Sequence, residues 1–296
     1  MKRALLICNP YSGNQKAKQA TDKIVSELSS HDFSCQVFVS ESIYALQQFI
    51  VREPFDDLAF IGLIGGDGTM HVFLNAMLQR FEKVPVPVAL FPCGTGNAFN
   101  FDIGCTTIDH TLQLIYNNRC SFIDVAEVTA NKQKLWTFNI LGCGLVTDIN
   151  RLAEKMRWLG ALRYTVASLI KLMANPKSQL TITTSEGSME GSFSFVLACN
   201  TRFTGKGMLM APHAQLNDGK LDVLIVKACS RFQLLTLFPK IFKGEHLDAS
   251  VLTYIHSNYL KVENASKPLP TNIDGELIGS TPLEVLVHAN KLTVYR

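Results

Sequence analysis

The sequence predicts two domains of different class: an α/β domain built on a parallel sheet, then a β-rich domain of antiparallel, sandwich-like character. Three observations carry this expectation. The chain has 296 residues, more than the roughly 100 to 200 of an ordinary domain. Over residues 1–120, short apolar runs alternate with stretches of helical periodicity, the rhythm of parallel strands joined by crossover helices. From Ser121 onward that rhythm gives way to strand-length runs. The first domain is therefore placed at residues 1–120, joined by a last strand at about 281–296, and the second at 121–280.

Arg3 to Cys8 is a compact apolar run halted by Asn9, Pro10, Tyr11, Ser12 and Gly13, after which Lys16 to Leu28 has helical spacing. A second strand around Cys35 to Val39 leads into a helix from Ile43 to Val51. The third run, Leu58 to Ile64, ends at Gly65; Met70 to Leu78 is helical and Val86 to Phe91 is the next strand. Beyond it lie strands at Phe122–Val128, Leu135–Leu141, Leu180–Thr184, Ser192–Cys199 and Leu221–Val226. One helical insertion, Asn150 to Met173, interrupts them and sets apolar side chains among charged ones.

An apolar content of 47% and a charged content of 18% belong to a globular chain. The net charge of +3 is too mild for a nucleic-acid binder, so no nucleic acid is expected as a partner. The eight cysteines form no CxxC pair and the histidines no HExxH, which predicts reduced, mostly buried thiols in a cytoplasmic protein. The opening MKRALLICNP is stopped too early by Asn9 and Pro10 to be a signal peptide. No stretch approaches the ~18 to 20 apolar residues of a membrane span, so any bilayer contact is peripheral.

The segment Gly65, Gly66, Asp67, Gly68, Thr69 directly follows an apolar strand and directly precedes a helix. Glycines let backbone amides approach phosphate oxygens, and the helix N-terminus adds partial positive charge. Asp67 is either a polar turn residue or a catalytic carboxylate that orients Mg²⁺ or accepts a hydroxyl proton. Two further loops of this kind, Asn9 to Asn14 and Pro92 to Asn97, also follow strands. In an open parallel sheet the strand ends converge on one ligand edge, so the three loops are expected to surround one nucleotide.

In this order and spacing, the NPxSG, GGDGT and GTGN elements resemble the catalytic domain shared by diacylglycerol, ceramide and sphingosine kinases. The resemblance implies an ATP-dependent, Mg²⁺-using lipid kinase that phosphorylates a hydroxyl of a membrane lipid of the ceramide, sphingoid base or diacylglycerol class. It implies a nucleotide held between the two domains near Asn9, Ser12, Gly13, Ser40, Gly65, Gly66, Asp67, Gly68, Thr69, Met70, His71 and Thr95. The run from Asp148 to Tyr164 is similar to ceramide and sphingosine kinases. By that likeness Arg157 and Arg163 face nucleotide phosphates, and Asp148 and Asn150 lie near the lipid head group; a solvated helix face is the plain alternative.

Ala211 to Asp222 resembles a structural Mg²⁺ loop of bacterial members, with Asp218 giving a carboxylate and Gln215 and Lys220 backbone carbonyls. A hairpin turn at Asn217, Asp218 and Gly219 explains the same residues. Asn272 to Glu276 matches the family's DGE element, whose glutamate is the proposed proton acceptor in bacterial lipid kinases. Sphingosine-type relatives assign that role to the GGDGT aspartate. Asp67 and Glu276 are thus the candidate catalytic pair, with the division between them open.

Val72, Ala98 and Asn150 depart from the family's pattern, each standing where an acidic residue is common. Asn150 in particular predicts a neutral head group, because an amide cannot neutralise an ammonium; the alternative is that Asp148, two residues earlier and on the same face if the segment is extended, reaches the amine. A soluble kinase of the NAD-kinase or phosphofructokinase type, and a non-catalytic lipid-binding module, are the competing functions. The apolar series from Met156 to Met173 lines an acyl pocket or is plain core, and Leu234 to Phe242 packs on a sheet or rests on a bilayer. The expected location is the cytoplasm, peripherally at the inner face of the membrane.

Overall fold

The computed structural model describes residues 1–13, 16–94, 96–205, 207–264 and 266–296, without the side chains of Lys16, Arg157, Ala161 and Tyr164. The chain divides into two compact units, one of Met1–Val125 with Ala289–Arg296 and the other of Ala126–His288.

The first unit begins β1 (Lys2–Cys8), α1 (Lys16–Ser30), β2 (Phe33–Val39), α2 (Ile43–Arg52), β3 (Leu58–Gly65) and α3 (Asp67–Arg80). It continues with β4 (Val88–Pro92), α4 (Ala98–Asp102) and α5 (Ile108–Tyr116). Its strands lie in the order β2-β1-β3-β4, all parallel, with Cys8 opposite both Val39 and Ile64 and Gly65 opposite Pro92. Leu5, Leu6, Ile7, Ile61, Ile64 and Val88 are essentially inaccessible, as parallel strands covered on both faces must be. Pro85 and Pro87 delay β4 to Val88, two residues later than the sequence suggests, because proline cannot donate to a ladder. The chain winds from β1 outward to β2, then returns to β3 and β4 on the other side. That reversal leaves a crevice at the C-terminal ends of β1 and β3.

The second unit holds the rest of the chain. Its first elements are β5 (Cys120–Ala130), which begins in the first unit, β6 (Gln133–Thr137), β7 (Ile140–Gly144), α6 (Leu145–Lys155), a 3₁₀ stretch Arg157–Leu162 and α7 (Arg163–Ala174). There follow β8 (Ser178–Thr184), β9 (Gly187–Cys199), β10 (Phe203–Thr204), β11 (Met208–Leu209), β12 (Leu221–Lys227) and α8 (Arg231–Ile241). The last are β13 (Leu252–Ser257), β14 (Tyr259–Asn264), β15 (Thr271–Ile273) and β16 (Leu283–Tyr295). β16 pairs antiparallel with β14 through Leu283–Leu286 and, in the first unit, parallel with β4 at Val294.

In the second unit β7, β8, β9, β12, β13, β14 and β15 pair antiparallel with their neighbours, as do β5 with β6 and β14 with β16. β9 and β12 alternate. Val196, Ala198, Val223 and Ile225 join a core with Val128, Leu141, Ile182, Ile273 and Val285. Leu197, Cys199, Leu224 and Val226 face a second core with Leu172 of α7 and Leu234, Leu237 and Ile241 of α8. The period of two thus puts strands on one face and helices on the other.

Two expectations need correction. Leu135–Leu141 is not one strand: β6 and β7 are separated at Phe138 and Asn139, where a buried carboxylate takes the backbone amides that a ladder would use. The Asn150–Met173 insertion is not one helix either; it breaks at Gly160, at φ 58° and ψ −126°. Among the described residues, no helix is long and apolar enough to cross a membrane.

Candidate active site

In the first unit three loops meet at the C-terminal strand ends. The loop after β1 is an Asx turn, with Asn9 Oδ1 accepting from the Tyr11 amide at 3.0 Å and Asn9 O from the Ser12 amide at 3.1 Å. Asn9 Nδ2 donates to Thr69 Oγ1 at 3.0 Å, tying this loop to the first turn of α3. Gly13, at φ 60°, lies so close to the third loop that a Cβ there would stand 2.2 Å from the Cys93 carbonyl oxygen. Likewise a Cβ on Gly94 would sit 2.5 Å from Gly66 Cα. No side chain fits at either position.

Asp67 connects the second and third loops. Its Oδ2 accepts from the Ala98 amide at 2.9 Å and its Oδ1 from the Phe99 amide at 3.4 Å, at the start of α4. α3 starts at Asp67 with Gly66 as its cap, so the helix N-terminus opens among the glycines. Thr69, Met70 and His71 are buried, Met70 within the hydrophobic core. Ser40 is buried at the end of β2, its amide donating to Cys8 O at 2.8 Å. The Cys93 thiol is pushed up to about 11 by burial, then by its neighbour Cys8, and stays protonated. Asn14 and Thr95 lie outside the described residues.

In the second unit the DGE segment is a two-residue hairpin turn. Asp274 and Gly275 have φ of 53° and 95°, and Ile273 and Glu276 exchange both backbone hydrogen bonds at 2.9 Å. Positive φ at both central residues is why Asp-Gly stands there. The Asp274 carboxylate is buried, its Oδ1 accepting from Thr137 Oγ1 at 2.6 Å, Asn139 N at 3.0 Å and Ile140 N at 3.2 Å. Glu276, next along, is exposed.

Asp148 and Asn150 stand on α6, so the two residues lie on different faces rather than the shared face an extended segment would give. Asn150 is buried and Asp148 half-buried. The Asn150 amide donates to Gly275 O at 2.6 Å. Arg163, at the start of α7, stands 3.6 Å from Glu154. The side chain of Arg157 lies outside the described residues.

Gln215, Asp218 and Lys220 are all exposed, and Asp218 Oδ1 accepts from the Lys220 amide at 3.0 Å. Four residues on, buried Asp222 accepts from the Tyr254 hydroxyl and lies 3.3 Å from His256 Nδ1. Burial pushes the Asp222 carboxyl up, opposed by the Tyr254 hydrogen bond and His256. The described residues contain no group of three or more His, Cys, Asp and Glu able to hold a metal.

Comparison with known families decides the class. The diacylglycerol kinase catalytic domain matches residues 3–128, and the YegS C-terminal NAD kinase beta sandwich-like domain matches residues 139–296, more than half of the chain. The chain belongs to this family of lipid kinases. The diacylglycerol kinase of Bacillus subtilis is 27% identical over 96% of this lipid kinase and 93% of its own length. Sphingosine kinase 1 of Arabidopsis thaliana is 24% identical over 88% of this chain, which spans 63% of that protein. The crystal structure of a diacylglycerol kinase from Bacillus anthracis shares the fold at a TM-score of 0.74, with 19% identity over 99% of this chain and 96% of its own.

Two site features of this lipid kinase escaped the sequence. One is the burial of Asp274 and the other the bond from Asn150 to Gly275; both join residues more than 120 positions apart. Asp followed by Gly marks the turn, but nothing local marks its anchors.

Proposed function

We propose that this lipid kinase transfers the γ-phosphoryl group of ATP to a hydroxyl of a membrane lipid with a neutral head group, of the diacylglycerol or ceramide class. The observation that carries the reading is the convergence of the loops after β1, β3 and β4 at the switch point of a parallel sheet. Amides of the glycine loops and the α3 N-terminus would take the phosphates. The lipid oxygen attacks the γ-phosphorus as the bond to the β,γ-bridging oxygen breaks, ADP leaves, and a carboxylate accepts the hydroxyl proton. Glu276 suits that last role, being exposed at a turn tip, whereas both Asp67 oxygens already accept backbone amides. Asp67 then orients the nucleotide and its Mg²⁺, and Arg163 answers phosphate charge.

One carboxylate with nearby backbone carbonyls is an oxygen donor set that fits Mg²⁺, so Asp218, Gln215 and Lys220 would hold a structural ion. An ion carried by the nucleotide would neutralise phosphate charge.

Access to the lipid is the second element of the proposal. Trp158, Leu162, Leu169, Ile170 and Met173 are 46–79% exposed rather than packed as core. Phe232, at the start of α8, is 74% exposed; Asn175 Nδ2, donating to Cys229 O at 2.9 Å, brings the α7 end to the α8 start. Lys155 at the end of α6, Arg231 and Lys240 on α8 and Lys243 just beyond it are exposed, while Leu234, Leu237 and Ile241 are buried against the sheet. This apolar, cation-flanked surface suits a peripheral contact with an anionic bilayer.

The test is incubation with labelled ATP, Mg²⁺ and mixed micelles of diacylglycerol, ceramide or sphingosine. Label is expected in a neutral lipid; label in sphingosine at the highest kcat/KM would overturn the head-group assignment, and none in any lipid the kinase reading.

A further inference from the structure

We infer that Asn150 is a positioning residue for Glu276, acting through the Gly275 carbonyl rather than through the lipid head group; this rests on the reading of Glu276 as proton acceptor. The turn that carries Glu276 is over-determined. Ile273 N donates to Glu276 O and Glu276 N to Ile273 O, both at 2.9 Å; Asp274 N donates to Ile140 O at 2.7 Å and Gly275 N to Asn272 Oδ1 at 2.9 Å. The Asp274 carboxylate fixes the turn from beneath, through Thr137, Asn139 and Ile140. Every amide of the turn is therefore engaged, and the Gly275 carbonyl is the group bound from outside the strands, by α6.

That contact has one chemical solution. At 2.6 Å from a carbonyl oxygen only the NH₂ end of the Asn150 amide fits, because a second oxygen would be repelled. Asparagine at this position is then explained by the turn it holds, and its uncharged amide still offers an ammonium no ion-pair partner. An aspartate of the same shape would set a carboxylate against the carbonyl and tilt the turn, moving Glu276 away from the hydroxyl it must meet. Displacement of an acceptor by about 1 Å lowers turnover by roughly 100-fold while leaving ground-state binding nearly intact.

The experiment measures kcat and lipid KM for Asn150→Ala, Asn150→Asp, Glu276→Gln and both double variants, with hydrogen exchange across residues 271–278 in each. Expected for the Asn150 variants are a loss of about 10- to 100-fold in kcat, a lipid KM within about twofold of wild type, and faster exchange confined to the turn. Once Glu276 is glutamine, changing Asn150 should cost no further turnover. Losses that multiply, a raised lipid KM with intact kcat, or unchanged exchange in the turn would each overturn the inference and return Asn150 to the head group. Full activity of Glu276→Gln alone would instead overturn the assignment of the acceptor, and the exchange data would still decide whether Asn150 holds the turn.

Discussion

Asn9 Nδ2 lies 3.0 Å from Thr69 Oγ1, a single hydrogen bond that spans sixty residues of sequence and joins the loop after β1 to the helix after β3. It adds a side-chain tie to the backbone bond from Asn9 N to Ile64 O at 3.0 Å. Asn9→Ala should lower stability by about 1 kcal/mol and raise the ATP KM several-fold with little change in lipid KM. Denaturant unfolding and steady-state kinetics check the two effects separately.

Asp67 is both an anchor and a charge, and two substitutions separate these roles. Asp67→Asn keeps an oxygen for the Ala98 amide, so it should fold normally yet lose about 100-fold or more in kcat. Asp67→Ala removes both acceptors and should add a stability loss of about 1 kcal/mol. Wild-type turnover in the asparagine variant would remove Asp67 from the chemistry.

Arg163 pairs with Glu154 at 3.6 Å across the break between α6 and α7. An ion pair of this partly exposed kind contributes under about 1 kcal/mol, so Arg163→Ala should barely move the melting temperature. A several-fold rise in ATP KM is nevertheless expected if the guanidinium answers phosphate charge. Unchanged ATP kinetics would leave it a purely local pair.

Replacing Trp158 with Ala and Ile170 with Ser removes two large apolar side chains that are 79% and 47% exposed. The double variant should lose about 10-fold or more in affinity for vesicles containing phosphatidylglycerol, judged by co-sedimentation. Raised salt should weaken the wild-type interaction further, through the flanking lysines and Arg231. Catalysis toward a micellar, short-chain substrate is expected to survive.

His246 is buried, one ring nitrogen held 2.8 Å from Met210 O, and burial lowers its pKa below the usual histidine value near 6.5. In the window between the lowered value and 6.5 the unfolded chain binds the proton that the folded chain refuses. Stability is therefore complete above pH 6.5 and falls as pH drops through that window. Melting temperatures measured from pH 8 to pH 5 should show a shallower acid decline for His246→Gln than for wild type.

The parts of this protein that sequence made legible are those whose causes are local. Leu5, Leu6 and Ile7, or Ile61, Leu63 and Ile64, are continuous apolar runs because their strands are buried on both faces, and Asn9 and Gly65 end them visibly. The glycines marked the three loops, but what requires them is long-range: a Cβ on Gly13 would meet Cys93, and one on Gly94 would meet Gly66. Phe138 and Asn139 misled, because an apolar run reads as one strand until Asp274 claims its amides from far along the chain. The α7 stripe stayed open between an acyl pocket and plain core for a different reason. Periodicity identifies an apolar face but does not say whether that face is covered, and Leu169, Ile170 and Met173 remain uncovered.

β16 completes the first unit's sheet from more than a hundred and fifty residues beyond Val125, since Ala289–Arg296 belongs to that unit. A ribosome therefore releases β1 to β4 long before the strand that flanks β4 exists. Until then β4 presents Val88, Ala89 and Leu90 on an open edge, a template for any passing strand. Closing that edge waits on a strand that lies beyond a whole intervening unit, so this pairing is expected to form by slow, long-range closure rather than with the fast local helices.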